Sequence, residues 1–290
     1  MSTISVTCPI DKFPSVGQCI YCGSTENLTS EHIIAFGLHG YQELLDGSCT
    51  DCNCVTSKFE EACLTMMLGP VRYHLDLRTR RKKKRPTELP IEIETKSEFQ
   101  TRLVPIAEHP FLLAMIDFPA PGILQDSIPI TKHSKIRVRF HDVLPDNKTR
   151  IQRLSDEARR IRMKASIPVS DFYRMLAKIG HAFAASQFGI DSFDPYLLNI
   201  ILGRANNFAE FIGGEDKYIP DDPLNPKERL HNLRISTAQR PNRRNELPLL
   251  IVMVQLFSCF GMPTYQVVVG KCRTLSPTLR PQLLGHTISR

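Results

Sequence analysis

Between Gln18 and Leu64 the chain carries two Cys-x-x-Cys pairs, Cys19/Cys22 and Cys49/Cys52, separated by twenty-six residues. Four thiolates arranged as two close pairs can wrap one zinc ion tetrahedrally, each pair forming a tight knuckle. The intervening stretch is too long for a simple finger and long enough for a hairpin plus the entry to a helix. A metal there would clamp two distant pieces of backbone and fix what lies between and beside them. What lies there is an acid, a histidine and an amide: Glu31, His32 and, directly after the second pair, Asn53. These are residue types that catalysis uses. An imidazole titrating near neutrality can accept a proton, and a carboxylate suits a hard divalent ion. An amide oxygen can complete such ligation or cap the helix it opens.

The order Cys-x-x-Cys, Glu-His-Ile-Ile, a Gly-containing turn and Cys-x-x-Cys-Asn resembles the HNH endonuclease family, the ββα-metal or His-Me finger nucleases with a four-cysteine zinc site. The resemblance covers about residues 18–68. It implies structural zinc on Cys19, Cys22, Cys49 and Cys52, and a general base at His32. It further implies catalytic Mg²⁺ or Mn²⁺ held by Glu31 and Asn53, neutralising charge that builds on a phosphate. The activity so implied is metal-dependent hydrolysis of phosphodiester bonds in DNA. Two positions depart from the family: Ala35 stands where a proline usually follows the histidine, and Leu44 stands where a middle Asn orients it. The second departure supports an alternative, a non-catalytic zinc module binding nucleic acid or protein. An RNA-cleaving nuclease on the same fold is a further one.

Charge points to a partner. The net charge is +7, and Arg78–Arg85 alone holds seven basic residues and no acid: Arg78, Arg80, Arg81, Lys82, Lys83, Lys84 and Arg85. Residues 1–70 hold eight acids against Lys12 and Lys58. An acidic module facing phosphates needs attraction supplied from elsewhere, and the adjacent run supplies it through salt-dependent backbone contacts. A solvated linker is the simpler reading of the same run. The stretch before Gln18 lacks the basic start and apolar run of a secretory signal, and the longest apolar stretch is broken by Pro248, Gln255 and Gly261. With paired cysteines suited to a reducing compartment, the expectation is a cytoplasmic protein with no membrane partner.

These residues need a frame, and an α+β one is expected. It comprises a leader over 1–17, a zinc-clamped ββα module over 18–70, a basic linker over 71–96, and a mixed domain over 97–290 with a partly antiparallel sheet. A helix begins near Thr50, with Asn53, Ser57 and Glu60 on one face and Gly69-Pro70 at its end. Ile33, Ile34 and Phe36 are expected to pack against the zinc layer. Strands are expected over Arg102–Ala107, Phe111–Phe118, Ile136–Phe140, Leu230–Ile235, Leu249–Phe257 and Tyr265–Val269, the last two paired. Polar Arg150–Lys164 and apolar Ser170–Phe188 read as helices, the latter capped by Ser170 and closed by Gly189. A short helix follows at Tyr196–Leu202. His181 inside the apolar helix reads as core packing. There is no phosphate-binding glycine loop, dinucleotide fingerprint or nucleophile elbow.

Overall fold

The structure, a computed structural model, describes residues 11–80, 82–95, 98–125, 136–158, 160–214, 230–240 and 246–274. It is mixed α and β, and its sheets are largely antiparallel. The first sheet holds β1 (Asp11–Phe13), β2 (Leu28–His32) and β3 (Gln42–Cys49) in the order β1-β3-β2. β1 runs parallel to β3 and places Phe13 in the core. The end of the expected leader is therefore part of the sheet. Helix α1 (Thr50–Ala62) follows β3 with no intervening loop, because Cys49 caps it: the Cys49 Sγ accepts the Cys52 N–H at 3.5 Å. A π-turn over Cys63–Met67 leads to α2 (Gly69–His74). The helical run from Thr50 ends at Met67, just before Gly69-Pro70 as expected, and the same pair then starts α2. Proline in a first turn lacks only an N–H that had no helical partner anyway.

The expected linker is also partly folded. β4 (Glu88–Thr95) pairs with β5 (Glu98–Pro105) as a hairpin. β6 (Leu112–Asp117) and β7 (Arg137–Asp142) form a two-stranded ribbon, followed by α3 (Asn147–Glu157) and by β8 (Arg160–Arg162), which lies on the free side of β4. Pro90 is tolerated inside β4 because β8 covers only Glu92–Glu94, so the missing N–H falls off that pairing. This sheet and α3 share a small separate core of Ile91, Ile93, Val104, Leu154 and Ala158.

Helix α4 (Val169–Phe188) organises the remainder. Every residue from Met175 to Gln187 is buried, and a helix apolar on all sides belongs inside a protein. Its C-terminus is closed at Gly189 (φ 82°), as expected. Its N-cap is Pro168 with no side-chain bond, so the expected Ser170 cap is not used. Beyond it come β9 (Phe193–Pro195), α5 (Leu198–Ile201), α6 (Phe208–Phe211), β10 (Ile212–Gly214), β11 (Asn232–Ala238), β12 (Leu249–Gln255) and β13 (Tyr265–Cys272). β12 and β13 pair antiparallel as expected, with β11 beyond β12 and both β10 and β9 on the far edge of β13.

One side of α4 lies on this sheet, where Gly180 permits close approach: a Cβ there would stand 2.6 Å from Val267 Cγ1. The other side packs against α1. A single buried cluster therefore runs from Phe13, Ile20 and Phe59 through Phe172 and Ile179 to Val267 and Cys272. The zinc-side sheet and the C-terminal sheet share one core across the expected linker. Among the described residues no helix is long and apolar enough to cross a membrane.

Candidate metal centre and candidate active site

The four cysteines converge. The Sγ atoms of Cys19, Cys22, Cys49 and Cys52 all lie within 4.8 Å of one another, with Cys22 and Cys49 at 3.6 Å. Zn–S bonds of about 2.3 Å in a tetrahedron place sulfurs roughly 3.8 Å apart, so the cluster has the spacing to hold a metal such as zinc. The backbone builds the knuckle: the Cys19 N–H donates to the Ser24 carbonyl, and the Gly23 N–H returns to the Cys19 carbonyl. Ile20 N–H then ties the knuckle to Gly47 of β3. The thiols are electrostatically linked. Cys22 and Cys52 are pushed up, by burial first and by neighbouring thiols. Burial also raises Cys49, but the Cys52 amide and the adjacent thiols more than offset it and bring it down. Four thiolates this close repel one another, and a bound cation would stabilise the deprotonated set. Cys22 faces a groove of about 360 Å³ lined also by Thr50, Asp51 and Arg204. Cys54 is exposed and Cys63 buried, and neither joins the cluster.

Glu31 and His32 close β2. β3 bulges opposite them: Thr29 pairs with Ser48 and Glu31 with Leu44, so three residues of β3 oppose Ser30 alone. Asp46 takes a positive φ of 48° in that bulge. Gly47 leaves room for Glu31, since a Cβ on it would lie 2.9 Å from the Glu31 Cβ. The bulge turns the Glu31 carboxylate inward, and only 4% of the residue is exposed.

What meets Glu31 there is a side chain from far along the sequence. Lys178 of α4, itself 1% exposed, sits with its Nζ 2.5 Å from Glu31 Oε1 and 3.0 Å from Glu60 Oε1 of α1. The same ammonium donates to the His32 carbonyl and, at 3.4 Å, to that of Ile33. Burial alone would lower the Lys178 pKa, but Glu31 and Glu60 outweigh it and push it up to about 12. Burial likewise raises Glu31, and Lys178 opposes that. The contact geometry favours the ion pair, because a neutral amine would lose one of three N–H donors and turn a lone pair toward surrounding oxygens. Arg174 and His181 flank Lys178 on the same face of α4: Arg174 lies 4.6 Å over the Phe59 ring, and His181 Nε2 lies 2.7 Å from the Ile20 carbonyl.

The expected ion-holding pair is therefore not assembled for an ion. Glu31 is neutralised by Lys178, and the Asn53 side chain points its Nδ2 at Thr29 Oγ1, 3.4 Å away, one end of β2 removed from Glu31. Glu60, one helical face with Asn53 in sequence, is the α1 residue that reaches Lys178 beside that carboxylate.

His32 points the other way. It is half-buried, opposite Glu43 on β3 and 5.7 Å from the Phe36 ring. Its pKa lies below the usual 6.5, first because of burial, with Lys178 and Arg80 adding to this and Glu43 opposing it. Its buried Nδ1 has no hydrogen-bond partner among the described residues. Leu44, fully buried opposite Glu31, offers it nothing, and neither Asp46 nor a carbonyl takes that place.

Phe36 does not pack on the metal layer as Ile33 and Ile34 do. Its half-exposed ring carries the guanidinium groups of Arg78 and Arg80 at 5.8 and 5.6 Å. The start of the basic run is thus brought beside His32 through an aromatic spacer. Lys83 and Lys84 are exposed. Arg85 is not available in the same way, being paired with Asp76 and bonded to the Leu77 carbonyl. Arg81 and the Lys82 side chain lie outside the described residues. Sequence reasoning missed Lys178, Glu43 and the role of Phe36. The available signal was a lysine flanked on both sides by apolar residues in the most apolar helix of the chain.

Comparison of the chain with protein-family models, with curated proteins and with solved structures found no match for any part of it.

Proposed function

We propose that the protein is an endonuclease of the HNH type, cutting phosphodiester bonds in DNA with His32 as general base and zinc as a structural clamp. One observation carries the reading: a half-buried, deprotonation-prone imidazole stands beside an aromatic ring that carries two arginines. A strand-strand-helix unit with a four-cysteine cluster at its base frames that group. In this reading His32 takes a proton from a water as its oxygen attacks phosphorus, the P–O bond to the leaving oxygen breaks, and Arg78 and Arg80 face the phosphate charge. The resemblance would add Mg²⁺ or Mn²⁺ on Glu31 and Asn53. Those residues do not fit it as arranged, since one is ion-paired and the other turned away. RNA has the same phosphodiester chemistry and would be the second substrate to test.

Plasmid cleavage tests the base. His32→Ala should keep its zinc and its DNA affinity and lose a factor of roughly 10²–10⁴ in rate, because a base acts on the transition state alone. Cleavage by both proteins, or by neither, would remove the assignment. The unpartnered Nδ1 favours the other reading, a zinc module that binds without cutting, and cleavage by neither protein is what that reading expects.

The basic run gives a contrast between two arginines. Arg80→Ala should weaken DNA binding regardless of sequence and lower the slope of log affinity against log salt by about 1. Arg85→Ala should leave that slope unchanged and lower the melting temperature instead, because Arg85 is engaged within the fold. Equal slopes in all three proteins would mark the run as a linker.

A further inference from the structure

A buried carboxylate, Glu31 of β2, and a partly buried one, Glu60 of α1, approach a single point from different elements. Such a pair is what a hard divalent ion takes as ligands. The point is filled by a cation already covalently part of the chain. The Lys178 Nζ stands 2.5 and 3.0 Å from the two carboxylates and also bonds the backbone carbonyls of His32 and Ile33. An ammonium with three donors directed at carboxylate and carbonyl oxygens uses the hydrogen-bond capacity that a bound ion would use through ligation. Its stem comes from the buried centre of α4.

We propose that Lys178 is a built-in cation that occupies the acidic site at the end of β2, closes it to divalent metal, and positions His32 through its carbonyl. Lys178 is a positioning residue: at 1% exposure it reaches no substrate. Charge developing on a phosphate would then be met by Arg78 and Arg80 on the open side of His32, while the carboxylates are neutralised from the core side. For that catalytic consequence the inference rests on the nuclease reading. The exclusion of metal from Glu31 does not.

The test uses Mn²⁺ as the probe, read by the electron paramagnetic resonance signal of the free ion in the presence of full-length, zinc-loaded protein. Wild type and Glu31→Gln should deplete the free-ion signal equally. Uptake by wild type that Glu31→Gln abolishes would overturn the proposal, and that comparison needs neither DNA nor cleavage. Lys178→Met should gain about one Mn²⁺ per chain, held by the two vacated carboxylates. That gain should vanish in Lys178→Met/Glu31→Gln. A folded Lys178→Met that takes up no Mn²⁺ would show that the site cannot hold an ion and would also overturn it. If Lys178→Met does not fold, the wild-type comparison decides. In a protein that cuts DNA, the wild-type rate should be the same with and without Mg²⁺, and a requirement for Mg²⁺ would overturn the proposal. Absence of cutting would count against the nuclease reading and leave the Mn²⁺ comparison to decide this one.

Discussion

Cys49→Ser is expected to lose bound metal and to unfold the whole described core, not the N-terminal sheet alone. Cys49 does three things at once: it offers a thiolate to the candidate metal cluster, ends β3, and caps α1 through its Sγ. A serine keeps the cap and discards the soft ligand, so the loss isolates the metal's share. Structural zinc in small peptides supplies about 10–16 kcal/mol of apparent folding energy, and whole domains keep a margin of only about 5–15 kcal/mol. The effect spreads because Ile20 and Tyr21 of the knuckle belong to the same buried cluster as α4 and β13. His181 is held by the Ile20 carbonyl, and Lys178 by the carbonyls that follow β2. Metal analysis should return about one zinc per wild-type chain and none in the variant. Thermal unfolding followed both by far-UV signal and by tyrosine fluorescence should show one coincident transition in wild type. A variant that binds no metal and melts with wild type would refute the clamp.

The metal cluster is legible in the sequence because its information is local: two short spacings determine which atoms meet. Glu31 and His32 fall at a strand end for the same reason, and the long helices follow from apolar periodicity. What the chain hides is pairing over long range. Lys178 lies 146 residues beyond His32, and a lone lysine says nothing about which carboxylate it will meet. β1 is three residues long, too short for a local strand pattern, and owes its form to the neighbour that pairs with it; β4 does alternate, with Leu89, Ile91 and Ile93 buried, but Pro90 gives it the look of a linker. The apolar stripe that Val55, Phe59, Ala62/Cys63 and Met66 suggest in the sequence is displaced too. The buried positions are Cys52, Thr56, Phe59 and Cys63, with Met66 exposed, because α4 approaches from the side set by the metal knuckle.

These tertiary ties have a common chemistry. Carbonyls released from the sheet and loop around His32 are received by side chains of the C-terminal half: Ile20 by His181, His32 and Ile33 by Lys178, and Leu38 by His231. A loop carrying Gly40, whose backbone passes so close that a Cβ would lie 1.9 Å from the Ile34 carbonyl, cannot satisfy its own polar groups by regular pairing. The second half of the chain supplies the donors. The site's rigidity is in this sense imported from α4 and from the β11–β12 sheet.

Acid should release that support, and His231 gives the clearest prediction. It is fully buried, its Nε2 lies 2.6 Å from the Leu38 carbonyl, and its Nδ1 accepts the Phe257 N–H at 3.0 Å. A second proton would have to replace an accepted N–H with a facing one. Burial lowers its pKa to about 4, with the Leu38 bond opposing and His39 adding to the shift. His181, also fully buried, is likewise lowered to about 4 by burial. The folded value lies below the unfolded one of about 6.5, so the fold favours the neutral ring. The associated stability is complete above pH 6.5 and is lost as pH falls from there toward 4. Two pH units in that window correspond to about 3 kcal/mol for one such histidine, as an order of magnitude. His231→Gln keeps a donor for Leu38 and an acceptor for Phe257 and cannot titrate. Urea unfolding at pH 7 and at pH 4.5 should therefore show a loss in wild type larger than in the variant by roughly 2–3 kcal/mol. Protonation of carboxylates and release of zinc act on both proteins and cancel in that difference. Equal losses would mean that His231 carries its second proton in the folded state, and that the Leu38 loop beside His32 is not held by a neutral imidazole.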